Sequence, residues 1–449
     1  MKRKLAALVS IALFGGGVCQ SVYAANWFEI QTVSLPEWGK GTFFGFLEPT
    51  YSDMKYTPAN NGQIPKADYI GPTFNNTTDV AIQRARLFLR GSVNPDISYY
   101  LGTEGGQNGY TYSYGNYGPK IIDANMTFSN YIPGIRVEVG IIRAPGPEGA
   151  MEGFMTFNFL DQFPTVIGQL MQPSFYNRSS LYHGVGNGGF AVPTADMSSN
   201  NGFRYPGVQA EDWFRLKPNL ELAYGVMLGD NGLQFDPGTT NGPIAAGRLQ
   251  LSYLFDNGKD RFYRNDLTGF VWYQQSRPEF NGTSNTMVRD GFGFTYMNKF
   301  MHAGGRSLKA EYIAGTGNIA APPAFNVGPG LGVGQYDTTF YPGSNNRAYG
   351  YDISSGYFVT NKIELNLRYD YYDRLPNLAA QERIFKDVGA GVEYHFTPLT
   401  RIVADYFIRR VDIANPSAIG APGSAALNLA NSTVDGIGNE FNIYAVFAF

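Results

Sequence analysis

The stretch from Lys362 to Tyr372, KIELNLRYDYY, places Lys362, Glu364, Asn366, Arg368 and Asp370 at even positions and Ile363, Leu365, Leu367, Tyr369 and Tyr371 at odd ones. Successive side chains of a strand leave on opposite faces, so this period of two gives one polar and one greasy face. The pattern recurs. Val80 to Val93 sets Arg84, Arg86, Phe88 and Arg90 against Ala85, Leu87 and Leu89; Gly134 to Ile142 sets Arg136 and Glu138 against Ile135, Val137, Val139 and Ile141. Arg401 to Arg409 sets Arg401, Asp405 and Arg409 against Ile402, Ala404, Tyr406 and Ile408. Segments of this kind predict sixteen strands, near 41–51, 80–92, 97–105, 120–128, 134–142, 202–214, 219–228, 246–255, 266–275, 289–299, 306–314, 347–358, 362–372, 385–396, 400–410 and 438–449. Their connections alternate between tight turns, as at NPD near Asn94 and FTPLT near Phe396, and long Gly-, Pro-, Asn- and Ser-rich stretches, as at Gly315 to Asn346 and Val411 to Gly436.

Many two-faced strands suit either a soluble sandwich, whose apolar faces meet in a core, or a membrane barrel, whose apolar faces meet lipid and whose polar faces line a lumen. Three features favour the barrel. The polar faces carry many charges of both signs, while the apolar faces stay clean over about 9–11 residues, the length of a tilted spanning strand. Aromatic residues crowd strand ends, as at Tyr99 and Tyr100 or Tyr371 and Tyr372, where interfacial girdles sit. The chain closes on NEFNIYAVFAF, with Phe441, Ile443, Ala445, Phe447 and Phe449 on one face, similar to the final strand that the barrel-assembly machinery reads. The expected fold is therefore all-β, a transmembrane antiparallel barrel of about sixteen strands. Leu87 and Leu89 should face lipid, and Arg84, Arg86 and Arg90 the channel.

Composition agrees with export. Lys2, Arg3 and Lys4, the apolar run Leu5 to Phe14 and the Val22-Tyr23-Ala24 site predict a cleaved signal peptide over 1–24. The single cysteine, Cys19, falls inside it, so the mature chain has no thiol for a disulfide, a metal or a nucleophile. Removing the leader takes three of 34 basic residues and none of 37 acidic ones, leaving 31 against 37. That acidic excess speaks against a nucleic-acid partner. Beyond the leader no stretch of 18 apolar residues predicts a membrane helix, and no linker divides 25–449, so it is expected to form a single barrel.

The run RARLFLRGSVNPDISYYLGTEGG, followed by KIIDANMTFSNYIPGIRVEVGIIRAPGPEG, resembles the phosphate-selective porin O and P family, most clearly over Val80 to Glu148. The resemblance implies a sixteen-stranded trimeric porin with a loop folded inward and lumenal cations that conduct anions. The chain departs from that pattern at IIRAPGPEG, which keeps Arg143 and Pro145 but lacks the small polar pair. The expected function is passive diffusion of small hydrophilic solutes and ions across the outer membrane, with a preference for anions such as phosphate as its finer form. The alternative is an outer-membrane adhesin or scaffold acting through long loops.

Arginine suits an anion path because its planar fork grips several oxygens and its charge never titrates away. Arg84, Arg86, Arg90 and Arg136 are expected as a cationic wall, with Arg143 and Arg368 also lining the pore. The segment 143–202 is the candidate constriction loop, whose Glu148, Glu152 and Asp161 would oppose Arg84, Arg86 and Arg136 and set up a transverse field. The alternative pairs the arginines with lumenal carboxylates such as Glu48, Glu138, Glu364 or Asp405 and leaves the loop acids solvated. His183, His302 and His395 form no H-E-x-x-H or paired spacing, and no G-x-S-x-G elbow appears. No catalytic residue, cofactor or metal ligand is therefore expected, and His395 should simply line the lumen beside Glu393. The expected partners are outer-membrane lipids, hydrophilic solutes or anions, the barrel-assembly machinery through the strand ending at Phe449, and two further copies in a homotrimer.

Overall fold

A computed structural model describes residues 41–56, 77–108, 111–113, 116–152, 164–171, 183–185, 189–193, 203–230, 242–255, 265–280, 283–321, 337–397 and 400–449. Sixteen antiparallel strands form one closed barrel. They are β1 (Gly41–Tyr56), β2 (Thr77–Asn94), β3 (Ile97–Glu104), β4 (Lys120–Ile132), β5 (Ile135–Arg143), β6 (Arg204–Lys217), β7 (Leu220–Asp230) and β8 (Pro243–Leu254). The circuit continues through β9 (Asp266–Ser276), β10 (Met287–Asn298), β11 (Arg306–Thr316), β12 (Arg347–Phe358), β13 (Ile363–Arg374), β14 (Arg383–Thr397), β15 (Thr400–Ile413) and β16 (Ile437–Ala448). Each predicted strand has its counterpart, several of them extended; β1 runs to Tyr56 and β2 starts at Thr77. The candidate leader lies outside the described residues.

The ring shuts where β16 pairs with β1, Phe447 against Leu47 and Tyr444 against Thr50. Gly45 and Phe449 exchange both backbone bonds, each at 3.0 Å. No open edge remains in the ring, which is the condition a sheet must meet to exist in hydrocarbon. Short connections at 95–96, 133–134, 218–219, 359–362 and 398–399 share one rim with the longer ones at 255–265 and 299–305; the connections at 57–76, 105–119, 144–203, 317–346 and 414–436 share the other. At the 133–134 turn Gly134 takes φ 78°, a left-handed backbone that a side chain resists.

The two faces separate as the alternation predicts. Leu87 is 51% exposed, whereas its neighbours Arg86 and Phe88 are 5% and 6%. Leu367, Val271, Leu228 and Phe292 likewise stand outward, while Arg368, Trp272 and Asp370 are withdrawn inside. The expected aromatic girdle needs a correction at its named pairs. Tyr100 stacks on the inward Phe88 with ring centroids 5.5 Å apart, and Tyr372 is fully buried against Phe385. Adjacent strand residues face opposite ways, so only one of each pair can be outward. The outward tyrosines form a row across strands instead, Tyr312, Tyr349, Tyr371 and Tyr351, with neighbouring centroids 5.2–6.3 Å apart.

Several elements outside the ring were not anticipated. Helices α1 (Glu148–Met151), α2 (Pro416–Ile419) and α3 (Ala425–Asp435) sit in connections. Ser424 caps α3, its hydroxyl accepting from the Leu427 amide. A four-stranded sheet, ordered Ile319–Ala321, Asp337–Tyr341, Gly189–Pro193 and His183–Val185, ties the 317–346 connection to the 144–203 connection.

Candidate solute pathway

The long connection after β5 turns into the barrel. Ala150, Val166, Ile167 and Leu170 pack in one buried cluster with Phe270, Trp272, Ile313, Tyr372 and Phe385 of the wall. Each such aliphatic side chain gains about 1.5–3 kcal/mol on leaving water, enough to hold a segment that a solvated loop would surrender. Polar bonds fix its height. Arg248 donates to the Gly146 carbonyl at 2.7 Å and pairs with Glu148, and its guanidinium lies 4.0 Å over the Phe270 ring. Gln274 donates to the Pro145 carbonyl at 3.0 Å, and Glu311 accepts the Glu148 amide. Lys309 reaches Glu152 at 3.0 Å. Farther along, Thr165 donates to Asp387, Arg374 to Gln169 at 3.2 Å, and Arg289 to the Leu170 carbonyl at 3.3 Å.

The facing wall is built from β1 to β3. Arg84 pairs with Glu48, and Arg86 meets Glu104 at 2.7 Å. Both pairs are dictated by register, since Glu48 stands opposite Arg84 and Glu104 opposite Arg86. Arg90 lies 5.6 Å over Phe44, which stacks on Phe88. A guanidinium over an aromatic face is attracted by the ring quadrupole and keeps its charge in place. Arg136 sits 3.4 Å from Asp212 and 4.1 Å over Trp213.

On the far side Asp352, Asp370 and Asp387 are successive register partners across β12, β13 and β14. Like charges placed directly opposite repel. Arg368 lies 3.1 Å from Asp370, and Arg409, register partner of Asp387, is 3.1 Å from Glu440.

The predicted residues thus do not gather in one place. Arg84, Arg86 and Arg90 share one patch of wall, Arg136 stands near the short-turn rim, and Arg368 lies across the barrel on β13. Arg143 turns to the connection and donates to the Ala150 carbonyl at 2.8 Å. Glu148 and Glu152 are on the inward connection, but their ion-pair partners are Arg248 and Lys309, whereas the expectation set them against Arg84, Arg86 and Arg136. The cause is position, because the connection crosses toward β8 and β11. Asp161 lies outside the described residues. Burial lifts the Glu152 carboxyl above its ordinary range, and Lys309 opposes that rise.

Among the described residues, Arg204, Arg248, Arg289, Lys309 and Arg374 are further inner cations that had not been singled out. Arg204 meets Asp123 at 2.8 Å, with both withdrawn from solvent. Parity was the available signal: Arg248, Gln250 and Ser252 alternate with Leu249 and Leu251 as the arginines of β2 do with their leucines.

No protein-family model matches the sequence, and no curated protein matches it either. Solved structures do match in shape. Salmonella typhi OmpF, in complex with daunomycin, has a TM-score of 0.53 at 12% identity, covering 91% of this chain and 98% of its own. An anion-selective porin from Comamonas acidovorans follows at 0.49 and 13%, over 91% and 99%. The channel DcaP of Acinetobacter baumannii gives 0.48 and 13%, over 93% and 100%. What the chain shares with OmpF, at that identity, is the fold: a closed sixteen-stranded antiparallel barrel.

Proposed function

We propose that the protein is a porin of a Gram-negative outer membrane, passing small hydrophilic solutes and ions down their gradients. One observation carries this reading: the closed ring turns leucines and valines outward and its buried ion pairs inward, the reverse of a soluble β-protein. The short-turn rim would face the periplasm and the long connections the exterior. Selectivity would come from the width left beside the inward connection and from the charges around it. A preference for anions such as phosphate, assembly as a homotrimer and delivery by the barrel-assembly machinery are finer parts of the same proposal. The arginine patch of β2 supports the first, since it gathers three guanidinium groups on one strand.

The test is electrical. Purified protein added to planar lipid bilayers is expected to insert in discrete steps of steady ohmic current, with a reversal potential in a salt gradient that reports ion preference. A barrel that inserts without current would overturn the channel reading, as would a chain that stays monodisperse without detergent.

A further inference from the structure

Glu364 and Glu393 are direct register partners on β13 and β14, and His395 lies two residues beyond Glu393 on the same inward face. All three are 1% exposed, near the short-turn rim. His395 Nε2 stands 3.4 Å from Glu393 Oε2 and 3.5 Å from Glu364 Oε2. Each residue offers one donor atom, and the three atoms lie within 4.8 Å of one another. Zinc bonds of about 2.0–2.2 Å to nitrogen and oxygen make the edge of a tetrahedron about 3.3–3.5 Å. The two measured edges fall on that length.

The surroundings leave these donors available. Neither oxygen of Glu364 and neither ring nitrogen of His395 makes a hydrogen bond among the described residues. Glu393 is held from behind by Asn366, which donates to Oε1 at 2.9 Å, while Arg401 Nε stands 3.1 Å from Oε2, the oxygen that faces His395. Arg401 offsets one of two facing carboxylates and leaves a negative charge. Gly356 makes room for Glu364, since a Cβ there would come within 2.1 Å of its Oε1. Phe358 and Phe300 wall off His395, their ring centroids 5.4 and 6.1 Å from the imidazole.

We propose that Glu364, Glu393 and His395 bind a divalent first-row transition cation of the zinc type, clipping β13 to β14 beneath the Phe300 turn. The imidazole sets the class, because calcium and magnesium prefer oxygen alone. Three protein ligands leave a fourth position for water, and Asn366, bonded to the other oxygen, orients Glu393 as a group behind a ligand does. The competing occupant is a proton shared between Glu364 and His395.

The full chain, folded in detergent and stripped with chelator, is titrated with zinc chloride by calorimetry and with cobalt(II) in the visible range. One zinc per chain and an intense tetrahedral cobalt spectrum are expected. Glu364→Gln and His395→Gln should each weaken zinc at least about a hundredfold, and Asn366→Ala about tenfold, as loss of a group behind a ligand does. A heat-dependent gel shift confirms that each variant is folded; should either not fold, the wild-type stoichiometry and cobalt spectrum decide alone. No stoichiometric zinc, a weak octahedral cobalt spectrum, or affinity unchanged in both folded ligand variants would overturn the site and leave the proton in its place.

Discussion

Arg86 and Glu104 face each other across β2 and β3 with side chains 6% and 0% exposed. Glu104 also accepts the amides of Ala85 and Gly106, so its charge is held by three donors. Removing one partner of such a pair strands the other, at about 3–5 kcal/mol. Arg86→Ala is expected to cost that much in urea unfolding from lipid vesicles, and Glu104→Gln in the same chain to restore most of it. In a bilayer the Arg84→Ala, Arg86→Ala double variant should lower the anion-to-cation permeability ratio, because two positive charges are lost while Glu48 and Glu104 remain. An unchanged reversal potential removes both arginines from the filter. The outer face obeys a different rule. Leu367 is 60% exposed between the inward Asn366 and Arg368, and an arginine there would meet hydrocarbon. Leu367→Arg should destabilise the folded barrel by about 2–4 kcal/mol if the position lies near the bilayer centre. A cost below about 1 kcal/mol, the interfacial value, would place Leu367 outside the hydrocarbon.

Among the elements, the inward connection governs what the lumen can do. Its α1 is short, with Glu152 placed beside Lys309 by the turn that ends it. Because burial raises the Glu152 carboxyl, the folded chain takes up that proton at a higher pH than an ordinary glutamate would. The folded state therefore holds it more tightly than the unfolded one, and this group's contribution to stability falls as pH rises through the interval between the two. In the proposed channel, acidification removes one negative charge beside Lys309, so the anion-to-cation permeability ratio should climb in a step above the usual carboxylate range. Glu152→Gln should show the higher ratio at neutral pH and lose that step. A pH profile identical in the two proteins would detach Glu152 from ion passage. Elements differ in how far they could be read beforehand. The strands were legible because a face shared by lipid or lumen imposes period two on every one of them. Register was not, since a pattern such as KIELNLRYDYY says which residues point inward but not which residue of β14 lies beside Glu364. The Glu364, Glu393 and His395 cluster depends on that pairing, as do the partners of Glu148 and Glu152. Helix α3 carried the capping signals Ser424 and Gly436 around an alanine-rich run, yet the Gly- and Pro-rich flank masked them.

At the scale of the whole molecule, closure converts sixteen weak ladders into one cooperative body. An open sheet would expose the outer amides of β1 and β16, whereas here Thr50 to Asp53 pair with Phe441 to Tyr444 on one side and with Thr78 to Ala81 on the other. Every interior strand is likewise bonded on both sides. Exchange at a protected amide requires an opening, and in a body without edges the cheapest opening is not the first or last strand. Hydrogen exchange in lipid nanodiscs should therefore find Thr50 to Asp53 and Phe441 to Tyr444 as slow as Gly269 to Tyr273 at the middle of β9, with the long-loop rim exchanging ahead of all three. In a sheet that is merely curled, β1 and β16 would exchange first, and the charged interior would have an open seam. Early exchange confined to those two strands would break the closed ring, and with it the separation of an oily outside from a charged inside on which the proposed passage depends.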